Sequence, residues 1–210
     1  LDYPDHLACI VWFSGCNMRC DFCYNADIVF AKSGKYSFND ALEFLKTRVG
    51  LLEAVVLSGG EASLQELTLF SHKIKELGFK IKLDTNGTNP TQLKKLLDSK
   101  MLDFIALDYK ATKDKFYAIT HSKNFDAFSQ SLDLLLGCDI EFEVRTTLHA
   151  ELLDEEDINS IIDDLKKRGY AKTYFIQEFR DTGVNIGNIT KSKIKFDKSL
   201  LSKELVVVFR

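Results

Sequence analysis

Cys16, Cys20 and Cys23 fall within eight residues, in the spacing C-x3-C-x2-C, and nothing else in the 210-residue chain restricts its fold and chemistry so tightly. The run is Cys16-Asn-Met-Arg-Cys20-Asp-Phe-Cys23, with few signals of regular structure around it. Five cysteines, an odd number without a secretory signal, do not make a disulfide scaffold in a chain of this length. Cys9 and Cys138 stand apart and read as small buried residues. Thiols gathered on one short loop point to a metal. Structural zinc takes four ligands, usually in paired knuckles, and no second C-x2-C is present; His6, upstream of the first apolar run, is a conceivable fourth ligand. Three thiolates also suit a cubane iron–sulfur cluster whose fourth iron lacks a protein ligand, and an open metal position marks a reaction site. The absence of another cysteine group argues against auxiliary clusters.

Hydrophobic period predicts strands alternating with helices. Strands are expected at Ala8 to Phe13, Ala54 to Leu57, Phe79 to Asp84, Phe104 to Asp108, Ile140 to Thr146 and Thr173 to Gln177. Between them, Leu67, Phe70, Ile74 and Leu77 step by three and four, as do Phe125, Phe128, Leu132 and Leu135, and Ile158, Ile161, Ile162 and Leu165. Further helices are expected near Asp40 to Val49 and Thr91 to Ser99, the second started by Asn89-Pro90. Such alternation implies an α/β fold of parallel strands with right-handed crossovers. Six βα units are too few for a complete barrel of about 250 residues, so an open or partial barrel is expected. With 45% hydrophobic residues, two prolines and no linker or repeat, one domain over residues 1–210 is the expectation. Leu1 is not a start methionine, so some residues upstream are expected to be missing.

In this architecture loops at the carboxyl ends of the strands build the active site. The cysteine loop (residues 14–27) follows the first strand, Gly59-Gly60-Glu61 the second, Asp84-Thr85-Asn86-Gly87 the third and Asp108-Tyr109-Lys110 the fourth. Ile140, Phe142 and Val144 alternate with Glu141, Glu143 and Arg145, which turns Arg145 into the barrel, where a charge needs an anion. A neighbouring acidic residue and a bound carboxylate are the two alternatives. Lys+Arg 28 against Asp+Glu 31 gives a net charge of −3, which offers no reason to expect nucleic acid as a partner. No apolar run approaches the roughly 18–20 residues of a membrane span, so a soluble, cytoplasmic protein is expected.

The C-x3-C-x2-C spacing, with aromatic Phe22 immediately before the third cysteine, resembles the signature of the radical S-adenosylmethionine (SAM) superfamily. The resemblance implies a partial (β/α)6 TIM-type barrel and a 4Fe–4S cluster held by Cys16, Cys20 and Cys23, with SAM on the open iron. Gly59-Gly60-Glu61 resembles the GGE motif, implying backbone contact with the SAM ammonium and a countercharge from Glu61. The DTNG segment resembles that of activating enzymes for glycyl radical proteins, which implies that Asp84 and Asn86 lie near the ribose and methionine. It also implies that Asp84, Thr85 and Asp108 could hold a monovalent cation. Asp108-Tyr109-Lys110 resembles their D-x-K segment, placing Lys110 on the SAM carboxylate; Arg145 is implied for the same group, and Gln177 for the adenosine. His149 could line the substrate opening, although a lone loop histidine is more often structural.

Val11-Trp12-Phe13-Ser14-Gly15-Cys16-Asn17 and Cys23-Tyr24-Asn25, after Leu1-Asp2-Tyr3-Pro4-Asp5, resemble the opening of activating proteins for anaerobic (class III) ribonucleoside-triphosphate reductase. Tyr24 departs from that branch, where histidine is common, as does Asp5, where glycine is frequent. This implies abstraction of a hydrogen atom from a glycine of a partner enzyme, with flavodoxin or ferredoxin as external electron donor. The modest length suits a substrate delivered by another protein. The alternatives are an activase of another glycyl radical enzyme of the pyruvate formate-lyase type, or a radical SAM enzyme acting on a small molecule, such as 7-carboxy-7-deazaguanine synthase, whose cluster loop differs in spacing. A zinc or iron–sulfur interaction module without turnover is a third reading. The extension from about 180 to 210 either closes the barrel or covers it, and Val206 to Phe209 suggests a last strand of unknown pairing.

Overall fold

The computed structural model describes residues 2–210. Its seven strands form one sheet, in chain order and parallel throughout: β1 (Ala8–Phe13), β2 (Ala54–Gly59), β3 (Lys80–Thr85), β4 (Phe104–Asp108), β5 (Glu141–Leu148), β6 (Tyr174–Glu178) and β7 (Val207–Phe209). The first six were expected. The seventh goes beyond the six-unit expectation: Val207–Phe209 pairs with β6 in the register Tyr174↔Val207, Phe175↔Val208 and Ile176↔Phe209. Neither β1 nor β7 pairs with the other, so the curled sheet stays open along one side.

Helices fill the crossovers: α1 (Ala26–Phe30) and α2 (Phe38–Lys46), α3 (Thr68–Glu76), α4 (Pro90–Asp98), α5 (Lys113–Thr120) and α6 (Phe125–Leu136), and α7 (Glu155–Lys167). Their starts follow local chemistry. Ser37 and Asp40 form a capping box on α2, Asp154 and Asp157 form another on α7, and the Asn89 side chain accepts from Gln92 N–H ahead of Pro90 in α4. The last crossover is different, since residues 179–206 contain only one turn of 3-10 helix, Lys198–Leu200. The absence of a period there is why the sequence left this extension open.

The two faces of the sheet have different chemistry. Outward residues such as Leu57, Ile81, Leu83, Ile105 and Val144 are sealed beneath Leu45, Ile74, Leu96, Leu132 and Ile161 of the helices. The inward face carries a smaller apolar group, in which Tyr3 from the amino-terminal segment packs on Ala54 and Val56 with Ala8, Ile10 and Phe104 beside them. Those inward residues come from the amino ends of the strands, so this group closes the bottom of the barrel and leaves the upper interior polar. His6 belongs to this bottom layer, stacked on Tyr3 with its Nε2 2.5 Å from Lys80 Nζ, and does not join the cysteines. Among the described residues no helix is long and apolar enough to cross a membrane. Truncating a sealed outward residue, Ile105→Ala, is expected to cost about 2–5 kcal/mol in chemical unfolding. Leu69→Ala on the exposed side of α3 is expected to stay within about 0.5 kcal/mol of the wild type.

Candidate active site

A cavity of about 710 Å³ opens at the carboxyl ends of the strands, and every residue that the resemblance assigned to the cluster or to SAM lines it. Cys16, Cys20, Phe22 and Cys23 come from the loop after β1, Gly59, Gly60 and Glu61 from the end of β2, and Asp84 and Asn86 from the end of β3. Lys110 follows the end of β4, and Arg145 and Gln177 come from β5 and β6. The parallel order does this, because every strand delivers its last residues to the same rim.

The cysteine loop is tied back on itself. Arg19 donates to the carbonyls of Cys16 and Met18, both at 2.7 Å, and its guanidinium lies over the Phe30 ring of α1. Gly15 N–H donates to Ile28 O at 2.8 Å, and Met18 N–H donates to Cys16 Sγ at 3.4 Å. Burial pushes the Cys20 thiol up to about 12 and raises Cys16, while the charge of Lys110 pulls both the other way. Among the described residues no three His, Cys, Asp or Glu side chains converge on a point where one metal ion could sit. Cys16, Cys20 and Cys23 of one loop line one cavity wall, a donor set of three thiols that fits an iron–sulfur cluster with one iron left open to the cavity. They do not fit a closed zinc site.

Gly60 and Glu61 act first on the protein itself. A Cβ on Gly60 would lie 2.0 Å from Gly15 O, so only glycine lets β2 end against the cysteine loop. Gly60 N–H donates to Phe13 O and Glu61 N–H to Gly15 O. The Glu61 carboxylate, 2% exposed, accepts from Ser63 N–H (3.1 Å), Thr85 Oγ1 (2.7 Å) and Asn86 N–H (2.6 Å). Burial raises its pKa against the pull of these donors. The carboxylate fastens the end of β3 to the loop after β2, a task the sequence reading did not assign it. Asn86 passes the tie onward, donating to Asn17 Oδ1 at 3.0 Å, while Asn17 donates to Thr88 Oγ1 at 2.7 Å. Asn17 and Thr88 escaped the sequence reading, because nothing local marks a side chain whose partner lies 71 residues away.

The expected anion for Arg145 is internal. Its Nε donates to Asp108 Oδ1 at 2.5 Å and its Nη2 lies 3.3 Å from Asp84 Oδ2. Lys110 donates to Asp108 Oδ2 at 2.9 Å with its ammonium over the Phe22 ring, and Lys82 meets Asp84 at 2.8 Å. Burial opposes the charged form of Asp108, yet Arg145 and Lys110 outweigh it and hold the carboxyl well below the usual range. Asp108 in turn keeps Lys110 and Arg145 charged despite their burial. The monovalent cation set is not gathered in this arrangement: the Arg145 guanidinium bridges Asp84 and Asp108, and the Thr85 hydroxyl is turned to Glu61. Deeper inside, Arg210 of the chain end pairs with Glu143 at 2.6 Å and lies over Phe175. His149 is buried away from the cavity, with Nε2 on Thr190 O at 2.8 Å, and is structural.

Residues 10–165 match the family model described as the Radical SAM superfamily. The chain is 32% identical over 190 residues to a Methanocaldococcus jannaschii protein whose name places it among glycyl-radical enzyme activating enzymes, covering 85% of this chain and 75% of that one. It is 26% identical over 186 residues to a pyruvate formate-lyase-activating enzyme of Clostridium pasteurianum, covering 84% and 76%. Among solved structures, Streptococcus suis SuiB bound to S-adenosylmethionine superposes with a TM-score of 0.74 at 14% identity, covering 97% of this chain and 50% of that one. Native anSMEcpe with bound AdoMet gives 0.68 at 18% identity, covering 83% and 52%, so this chain spans about half of either solved protein. The fold is therefore the partial barrel of radical SAM enzymes. The chain belongs to the radical SAM superfamily, whose cofactors are a 4Fe–4S cluster and S-adenosylmethionine.

Two outcomes test this geometry. Glu61→Gln places an amide where a carboxylate met three donors, and is expected to lower stability by about 1–3 kcal/mol in thermal or chemical unfolding. Asp108→Asn leaves Lys110 without its partner and is expected to cost roughly 3 kcal/mol at neutral pH. Because the folded pKa of Asp108 is depressed, its contribution is present above the unfolded value of about 3.9 and is lost as pH falls below it. The gap between wild type and Asp108→Asn in unfolding experiments should accordingly narrow below about pH 4.

Proposed function

We propose that the chain activates a glycyl radical enzyme, taking a hydrogen atom from the α carbon of a glycine on a cytoplasmic partner protein. The observation that carries this reading is the unclosed side of the barrel. Ile10 and Trp12 of edge strand β1 and Phe179 and Arg210 beside β6 and β7 line the same cavity, and β1 and β7 do not pair across it. Trp12 is 50% exposed there. A cavity open between two sheet edges, with an aromatic lip, admits a segment of polypeptide. The names of the relatives above support the same reading.

When bound, the 4Fe–4S cluster and SAM, with an electron from a donor such as flavodoxin or ferredoxin, supply a 5′-deoxyadenosyl radical that takes the glycine hydrogen and leaves 5′-deoxyadenosine, methionine and a glycyl radical. This chain's residues hold and orient. Cys16, Cys20 and Cys23 are the cluster ligands. Lys110 and Arg145 present positive charge to the cavity for the SAM carboxylate, each fixed by Asp108 so that little reorganisation accompanies binding. The Gly59–Gly60 backbone faces the same space for the ammonium, Asp84 and Asn86 line the position for ribose and methionine, and Phe22 and Gln177 flank it for the remainder of the nucleoside.

The partner implied by the opening motif is anaerobic ribonucleoside-triphosphate reductase; the names of the relatives point also to pyruvate formate-lyase. Mixing the anaerobically reconstituted, reduced protein and SAM with each candidate should give a glycyl radical doublet in electron paramagnetic resonance on the reductase. A doublet only on pyruvate formate-lyase would move the partner, and SAM-dependent turnover of a small molecule with neither doublet would overturn the proposal. Cys20→Ala is expected to abolish SAM cleavage, read as 5′-deoxyadenosine formation.

A further inference from the structure

The lower half of the cysteine loop, Cys20 to Cys23, is gripped from two sides at Asp21. On one side stands the end of α5. Arg19 N–H donates to Thr120 O at 2.9 Å, Asp21 N–H donates to Ile119 O at 3.1 Å, and the Asp21 carboxylate lies 2.7 Å from His121 Nε2. His121 caps α5 in the left-handed region, φ 54°, which turns its side chain off the helix axis. On the other side runs the extension after β6. Gly187 N–H donates to Asp21 O and Ile186 N–H donates to Cys23 O, both at 2.9 Å.

The extension is itself built to hold still at this point. The buried Asn185 side chain donates to Ile189 O at 2.7 Å and accepts from Ile189 N–H at 2.8 Å, which closes a small ring around Gly187. One residue further, Thr190 O is fixed by the buried ring of His149. The contact at Gly187 leaves no room: a Cβ there would lie 2.5 Å from Asp21 Cβ and 2.8 Å from Asp21 Cα. Val184 of the same extension has an exposed side chain.

We propose that residues 185–190 form a strap that fixes Cys20 and Cys23 in the spacing that holds the cluster, with Gly187 and Asp21 as its positioning residues. The extension thereby acquires a task that neither the cysteine motif nor the barrel assigns it. The two main-chain bonds set where the Cys23 carbonyl and the Asp21 backbone lie, and the carboxylate locks the same residue to α5. The loop has no regular structure of its own between Ser14 and Asn25, so its conformation depends on such external contacts. Donors and packing around cluster thiolates also set the cluster's potential.

The test compares Gly187→Val, Gly187→Ala and the control Val184→Ala in the full chain, each reconstituted anaerobically with iron and sulfide. Iron per chain, the rate at which the cluster absorbance bleaches in air, and the paramagnetic resonance spectrum and midpoint potential of the reduced cluster are read beside the thermal unfolding of the metal-free protein. Gly187→Val should bleach several-fold faster with an altered spectrum, Gly187→Ala should lie between, and Val184→Ala should match the wild type. Asp21→Asn, which keeps the side-chain shape and weakens the contact with His121, should shift the potential and spectrum in the same direction, so the proposal stays testable if Gly187→Val fails to fold. Wild-type bleaching and spectrum in both Gly187→Ala and Asp21→Asn would overturn it. A wild-type protein that takes up no iron would instead overturn the cluster assignment on which the proposal rests.

Discussion

A loop that must present three thiols to one cavity has no freedom to form a helix or strand, and its shape has to be imposed by its neighbours. The structure is organised around that requirement. Gly60 admits the end of β2 against Gly15 O, the buried Glu61 carboxylate fastens Thr85 and Asn86, and Asn86 reaches Asn17 beside Cys16. Motif residues that would be taken for cofactor contacts are thus first of all contacts between loops. The two tasks are compatible, since a backbone held in place by the protein needs little reorganisation when a ligand arrives.

The charged interior obeys the same logic. Lys82, Asp84, Arg145, Asp108 and Lys110 form a continuous chain of opposite charges up one side of the cavity, each neutralised by the next. A lone buried ammonium or guanidinium would be costly, whereas the alternation keeps Lys110 and Arg145 protonated and Asp108 ionised. The Tyr3 layer below closes the apolar floor, so the polar part of the barrel is confined to the end where the cysteines stand.

Much of this was legible in the sequence, and for a physical reason. In a parallel α/β fold the ends of successive strands share one rim, so Cys16, Gly60, Asp84, Lys110 and Arg145, each just after or at the end of an apolar run, had to meet. What stayed hidden were pairings between distant side chains. The anion for Arg145 could be inferred as necessary, but not that two aspartates share it, and the carboxylate of Glu61 gave no sign that Asn86 would claim it. The short helices α1 and α5 lacked enough period to declare themselves, Val206 to Phe209 suggested β7 but not its pairing with β6, and Gly187 meets Asp21, 166 positions away, which nothing local could signal.

The central claim is that three cysteines on a loop held from outside carry a cluster with an open iron facing the cavity. Electron paramagnetic resonance of the anaerobically reconstituted and reduced protein, recorded before and after addition of SAM, tests it most directly. A 4Fe–4S signal that changes on binding SAM, with about four irons per chain by analysis, is the predicted result. A single tetrahedral ion, or a cluster signal that SAM leaves unchanged, would contradict it.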